Sequence, residues 1–282
     1  MKKSLSSWEF SLLQKFIEEQ SGIVLGQEKA YFIESRLANI LDSECLSSYE
    51  ELFYKAYNKK DTSFSERVID SITTNETYWF RDKNPWCILE EILLPIYIKE
   101  MQDGTRDDVR IWSCACSSGQ EPYSIAMCID SYLRKNGINN VSLDRFNITA
   151  TDLSGKMVNL AVNGKYDHAS MERGLDPNSR DRYFIKEDKY WFISEKIKNA
   201  VTFHRFNIKS GRYIFNNYDI IFCRNVLIYF SDILKEEILQ KIVHALKPNG
   251  VLFIGASEII TDSSKYFKME TYKDGVYFKQ KG

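Results

Sequence analysis

Four short stretches of the chain hold polar side chains whose types and spacing could do chemistry. The first, Ser113-Cys114-Ala115-Cys116-Ser117-Ser118-Gly119, runs through Gln120-Glu121-Pro122 into an apolar segment. Its small residues let a ligand reach the backbone, and Pro122 suits a first helical turn. It lacks G-x-G-x-x-G, which disfavours a tight pyrophosphate cradle and favours a less demanding nucleoside ligand. A strand-to-helix turn with no ligand would use the same residues. The second is Asp152, where a carboxylate can accept hydrogen bonds from ribose hydroxyls or, equally, cap a helix beginning near Ser154. The third is Cys223-Arg224-Asn225-Val226-Leu227-Ile228-Tyr229-Phe230. An arginine and an asparagine directly after an apolar strand have little reason to be there for packing. The fourth, Thr73-Thr74-Asn75-Glu76-Thr77-Tyr78-Trp79-Phe80-Arg81, mixes polar groups with bulky aromatics and reads as an ordered lid or clamp. Arg81 can bind a carboxylate bidentately, and Asn75 and Thr77 offer directional hydrogen bonds. The alternative is a hinge whose Tyr78, Trp79 and Phe80 only pack a helical bundle onto a sheet.

These groups need elements that bring them together. After Arg110, short apolar runs alternate with helical segments, the pattern of a mostly parallel sheet covered by helices. Strands are expected at residues 109–114, 146–151, 201–206, 218–223 and 251–255, the last after the turn Lys247-Pro248-Asn249-Gly250. In such a sheet, ligands bind beyond the carboxyl ends of the strands, where three of the four stretches fall. Asp274-Gly275 signals a terminal hairpin. Residues 155–200 read as a helix up to Gly164 and then a small antiparallel insertion around Tyr183-Phe184 and Tyr190-Trp191-Phe192. The first seventy residues read as helices, introduced by the S-x-x-E pairs Ser6/Glu9, Ser48/Glu51 and Ser63/Glu66.

Composition narrows the function. A chain of 282 residues with 44% hydrophobic and 27% charged residues is a folded globular protein, not a disulfide-stapled or disordered one. Its net charge of -1 supplies no field for non-specific nucleic-acid binding. The six cysteines include no C-x-x-C pair and the three histidines are scattered, so no metal site is expected. No apolar run long enough to cross a membrane occurs, and none follows Lys2-Lys3 to make a signal peptide; a cytoplasmic protein without membrane insertion is expected.

In order, the blocks Thr73 to Thr77 with Phe80-Arg81, Trp112-Ser113 through Gly119 with Glu121-Pro122-Tyr123-Ser124, Ala150-Thr151-Asp152, Phe222 to Phe230, Leu246 to Gly250 and Gly255-Ala256-Ser257-Glu258 resemble the chemotaxis receptor methyltransferase family over nearly the whole chain. The resemblance implies an α/β fold: a Rossmann-like class I methyltransferase sheet with a terminal antiparallel hairpin, preceded by a small all-α domain. It implies domains at 1–74 and 75–282, with the β insertion at 155–200. The donor implied is S-adenosyl-L-methionine (SAM), the product S-adenosyl-L-homocysteine, with no metal. Donor contacts fall on Asn75, Thr77, Arg81, Glu121, Asp152, Asn207, Ile208, Arg224 and Asn225, and Arg81 and Tyr229 lie nearest the methyl transfer. Glu121 is expected to pair with a cationic group of the donor.

The implied acceptor is a glutamate on the cytoplasmic helical bundle of bacterial chemoreceptors. A carboxylate with reference pKa near 4.3 is already ionised at neutral pH, so no general base and no His or Cys nucleophile is needed. Many members have two acidic residues before the proline; here the first is Gln120. The family's second helix is often strongly basic, whereas residues 1–72 hold 9 Lys+Arg against 12 Asp+Glu. Residues 180–212, with 9 Lys+Arg against 4 Asp+Glu, could instead attract an acidic receptor, or could be a solvated face. The stretch 184–190 is short and free of glycine, so no dependence on a receptor carboxyl-terminal pentapeptide tether is expected. The rival readings are a methyltransferase of another substrate and a SAM-binding regulatory module without turnover.

Overall fold

The computed structural model describes residues 4–58, 62–213, 217–260 and 265–281. The chain opens with four helices, α1 (Ser7–Ser21), α2 (Ala30–Ser43), α3 (Tyr49–Tyr57) and α4 (Thr62–Ile72). Ser6 and Glu9 form a full capping box, each side chain accepting the other's backbone N–H. Ser48 caps α3, but the Glu51 carboxylate turns to the N–H and hydroxyl of Ser47, so that box is half closed. The third expected box is a correction: Ser63 lies inside α4, one residue after its start, instead of preceding it. The stripes Phe10, Leu13, Phe16 and Ile17 of α1, Ile33, Leu37 and Ile40 of α2, and Tyr49 and Leu52 of α3 meet α4 in one core.

The linker leads into α5 (Lys83–Ile88), a π-helical stretch at Leu89–Leu93 and α6 (Leu94–Gln102). The stretch ends beside Pro95, which has no N–H to give to the ordinary helical ladder. Next come β1 (Val109–Cys114), α7 (Gln120–Lys135), β2 (Phe146–Asp152) and α8 (Gly155–Asn163). The insertion holds β3 (Lys165–Asp167), α9 (His168–Met171), α10 (Pro177–Tyr183), β4 (Phe184–Glu187), β5 (Tyr190–Ile193) and α11 (Glu195–Lys198). The chain returns through β6 (Val201–Arg205), β7 (Tyr218–Cys223), α12 (Asp232–Ala245), β8 (Leu246–Phe253), β9 (Phe267–Tyr272) and β10 (Gly275–Gln280).

Seven strands form a sheet in the order β6-β2-β1-β7-β8-β10-β9, parallel up to β8 and antiparallel in the terminal hairpin. Ile111, Ile220 and Phe222 face one helical layer, while Trp112, Ile221 and Cys223 face α12 on the other. Burial on both faces explains why β7 reads as an unbroken apolar run. A separate antiparallel sheet, β3-β5-β4, is the insertion.

Two local expectations change. Strand β8 starts at Leu246, so Lys247-Pro248-Asn249-Gly250 lies inside it as an irregularity opposite Tyr218 and Ile220, with Asn249 at φ 63°. The aromatics of the linker do not pack the bundle onto the sheet. Trp79 is fully buried, sits edge-on to Tyr166 and Phe184 and donates its Nε1–H to the Ser170 carbonyl, so it anchors the linker to the insertion. Phe80 instead meets Trp86 of α5.

Candidate active site

Register puts the chemistry on one edge. Cys114 pairs with both Thr151 and Cys223, and Asp152 with Arg205, so the loops after β1, β2, β6 and β7 emerge side by side. They wall a cavity of about 430 Å³, within the roughly 300–1,000 Å³ usual for small-molecule sites. All ten expected residues, Asn75, Thr77, Arg81, Glu121, Asp152, Asn207, Ile208, Arg224, Asn225 and Tyr229, line it.

The loop after β1 is tightly wound, with Ala115, Ser117 and Gly119 all at positive φ. At Gly119 (φ 93°) an added Cβ would lie 2.9 Å from the Ala161 Cβ, so glycine also lets α8 approach. The Ser117 N–H donates to Oδ2 of Asp152 (2.8 Å), and the Ser154 N–H donates to Oδ1 (2.8 Å). Asp152 is not the cap of α8, which is Ser154; its carboxylate braces the Ser154 N–H and borders the cavity. Burial pushes its pKa up, against the lowering effect of these backbone N–H groups.

Glu121 is already paired. Its carboxylate accepts from the Ser113 hydroxyl (2.8 Å) and meets Nη1 of Arg224 at 2.8 Å while still lining the cavity. Nη2 of Arg224 donates to the Arg81 carbonyl (2.7 Å) and to Asp82 (2.8 Å). Its Nε is buried with no hydrogen-bond partner among the described residues. Phe80 and Asp82 stand at φ 48° and 59° on either side of Arg81, a kink that aims the Arg81 carbonyl at Arg224. The half-buried Arg81 guanidinium lies over the Tyr78 ring (5.4 Å) and donates to the Glu76 carbonyl (3.1 Å). Asn75 bonds Thr73 through its amide and accepts the Ser117 hydroxyl on its carbonyl (3.1 Å).

Asn207 lines the cavity, and its side chain has partners of its own in the fold. Its Nδ2 donates to the Gln20 carbonyl of α1 (2.8 Å) and its Oδ1 accepts from the Lys209 N–H (2.9 Å), so it ties the bundle to the sheet. Ile208 contributes an apolar wall and accepts the Tyr213 hydroxyl on its carbonyl (2.8 Å). Asn225 holds φ 59°, and the Tyr229 carbonyl accepts the Val24 N–H (2.9 Å). That last bond marks what local reading missed: Val24, Leu25, Lys29 and Phe32 of the bundle line the same cavity. Only tertiary placement brings them there, and no motif in the first seventy residues signals it.

The family model described as the CheR methyltransferase SAM-binding domain matches residues 75–276, and that of the CheR methyltransferase all-alpha domain matches residues 8–73. Chemotaxis protein methyltransferase 1 of Pseudomonas aeruginosa is 39% identical, covering 99% of this chain and 100% of that protein. Chemotaxis protein methyltransferase Cher2 of Pseudomonas putida is 38% identical over 99% of this chain and 100% of its own length. The chemotaxis protein methyltransferase of Borreliella burgdorferi is 33% identical over 94% of this chain and 93% of its own. With both models matched and relatives aligned along nearly the whole chain, the protein belongs to the CheR methyltransferase family, the SAM-dependent methyltransferases of chemotaxis.

Proposed function

We propose that the protein methylates glutamate side chains on the cytoplasmic helical bundle of bacterial chemoreceptors, forming glutamyl methyl esters, and that it acts in the cytoplasm. The observation that carries the reading is the convergence of Asp152, Arg81 and Tyr229 on one cavity, a set suited to a nucleoside, an amino-acid carboxylate and an acceptor. The residues present fit SAM. Asp152 keeps lone pairs for ribose hydroxyls, the buried Arg224 Nε has no acceptor among the described residues, and nothing in the loop after β1 calls for a pyrophosphate.

When bound, SAM supplies a methyl group on a sulfonium sulfur, which a carboxylate oxygen takes by in-line displacement, leaving S-adenosylhomocysteine. Arg81 orients carboxylates as a fixed cation with a planar fork of donors, and Tyr229 donates a hydrogen bond beside it. Asn75, Thr77, Asn207, Ile208 and Asn225 shape the donor's walls, while Glu121 acts by holding Arg224 in place. Val24 and Leu25, on the loop after α1, line the cavity with apolar side chains that keep water from the acceptor, which strengthens every charge contact inside. We assign residues 1–74 to acceptor recognition and 75–282 to the donor and chemistry, with 155–200 as the insertion.

The turn between β4 and β5 is only Asp188-Lys189, which supports independence from a carboxyl-terminal pentapeptide tether; tight pentapeptide binding in calorimetry would overturn that. Among the described residues no helix is long and apolar enough to cross a membrane, and the net charge of -1 offers nucleic acid little. The test is incubation with methyl-labelled SAM and membranes holding the host's receptors. Receptor label that mild base releases as methanol supports the ester; label stable to base contradicts it.

A further inference from the structure

The block Gly255-Ala256-Ser257-Glu258 has no part in the contacts above, yet one of its side chains organises the acceptor edge. The Glu258 carboxylate is buried. Its Oε2 accepts from the N–H groups of Gly255 (2.6 Å) and Asn225 (2.8 Å). Its Oε1 accepts from Val226 (2.9 Å), Leu227 (2.7 Å) and, longer, Ile228 (3.4 Å). Five backbone donors thus converge on one anion.

Four of these donors, the N–H groups of residues 225–228, belong to a turn with no local cap. Residues Leu227–Tyr229 form a 3-10 helix whose preceding residue, Val226, has no side chain to satisfy its first N–H groups. Asn225 before it is held in the left-handed region. A carboxylate delivered from beyond β8 does what a local Ser or Asp does elsewhere. Its return is built in: the Glu258 N–H donates to the Gly255 carbonyl (3.0 Å), folding the side chain back over the Gly255 N–H. A Cβ at Gly255 would lie 2.7 Å from Nδ2 of Asn225 and 2.8 Å from Oε2 of Glu258, so this approach admits glycine alone.

We infer that Glu258 is the positioning residue of the reaction: by gathering the N–H groups of residues 225–228 it sets where Asn225 and Tyr229 meet the cavity. This rests on the proposed methyl transfer. In Glu258→Gln one acceptor oxygen becomes an amide donor, so at least two of the five N–H groups face a donor whichever way the amide turns. The turn loosens while Asp152 and Glu121, on other loops, keep their places, and Arg224, on the same loop, stays held by Glu121 and Asp82.

The test has three readouts on the full chain. Amide hydrogen exchange of the free E258Q protein is expected to quicken tenfold or more in residues 225–229 and to stay unchanged in α7 and β1. In turnover, kcat falls tenfold or more while the calorimetric Kd for SAM rises threefold or less. Tyr229→Phe lowers kcat less in the E258Q background than in the wild type, because the hydroxyl is already misplaced. If E258Q does not fold, E258D, which keeps the charge but is one carbon short, is measured the same way. Unchanged exchange in residues 225–229, or a kcat within twofold of wild type, overturns the inference. A wild-type chain that fails to bind SAM contradicts the functional reading instead, and the exchange measurement then decides the role of Glu258 alone.

Discussion

The Arg224 guanidinium and the Glu121 carboxylate meet at 2.8 Å, one delivered by the loop after β7 and the other by the first turn of α7. The Arg224 side chain is only 1% exposed, so the pair closes the floor of the cavity and joins two halves of the sheet. Removing one member of a buried pair leaves the other charge uncompensated, which costs about 3–5 kcal/mol. Arg224→Ala is therefore expected to lower stability by that order in urea denaturation. A loss under about 1 kcal/mol would mean the pair is hydrated and weak.

Asp152 couples donor binding to pH. The ionised carboxylate accepts from Ser117 and Ser154 and is the form able to accept ribose hydroxyls, while burial raises its pKa above 3.8. SAM affinity should thus be full at neutral pH and fall on acidification, starting at a higher pH than for an exposed aspartate. Stability has the opposite sign, because a raised carboxyl pKa contributes stability at low pH that is lost as pH rises through it. Calorimetric titrations across a pH series check the first trend, and Asp152→Ala should abolish binding at every pH.

Arg81→Ala separates chemistry from folding. The side chain is half-buried and, among the described residues, its one hydrogen bond goes to the Glu76 carbonyl, so stability should change by less than about 1 kcal/mol. Turnover should drop by ~100-fold or more, since loss of a positioning contact misaligns the reactants. Equal losses of stability and turnover would make Arg81 a structural residue only.

The thiols should divide by burial. Cys45 is exposed, whereas burial pushes the thiols of Cys114, Cys116 and Cys128 up and keeps them protonated. A thiol reagent at pH 8 is expected to label Cys45 first and those three only on unfolding, as mass spectrometry of digests would report.

What could be read from the residues was local. The loop after β1, Asp152 and the Arg224-Asn225 step each announce themselves by polar groups placed straight after apolar strands, and parallel register then aligns them. The Glu121–Arg224 pair, 103 residues apart, and the Val24–Tyr229 backbone bond depend on how distant elements dock, which no window of sequence encodes. Glu258 was legible as part of a motif but not as a cap, because four of its five backbone N–H partners lie thirty or more residues earlier. The start of β8 was misread because Pro248, Asn249 and Gly250 have turn propensity, while pairing of Leu246 with Tyr218 and the Lys247–Asp219 ion pair at 2.8 Å hold the segment in the sheet.

The central claim is that this cavity delivers a methyl group to a glutamate carboxylate. The most direct measurement is peptide mass spectrometry of purified receptor cytoplasmic bundle after incubation with the protein and SAM, with Arg81→Ala in parallel. The account predicts one added methyl group on the side chain of specific glutamates, lost in mild base and absent with Arg81→Ala. Methylation of nitrogen, or no modification by a protein that binds SAM, would contradict it.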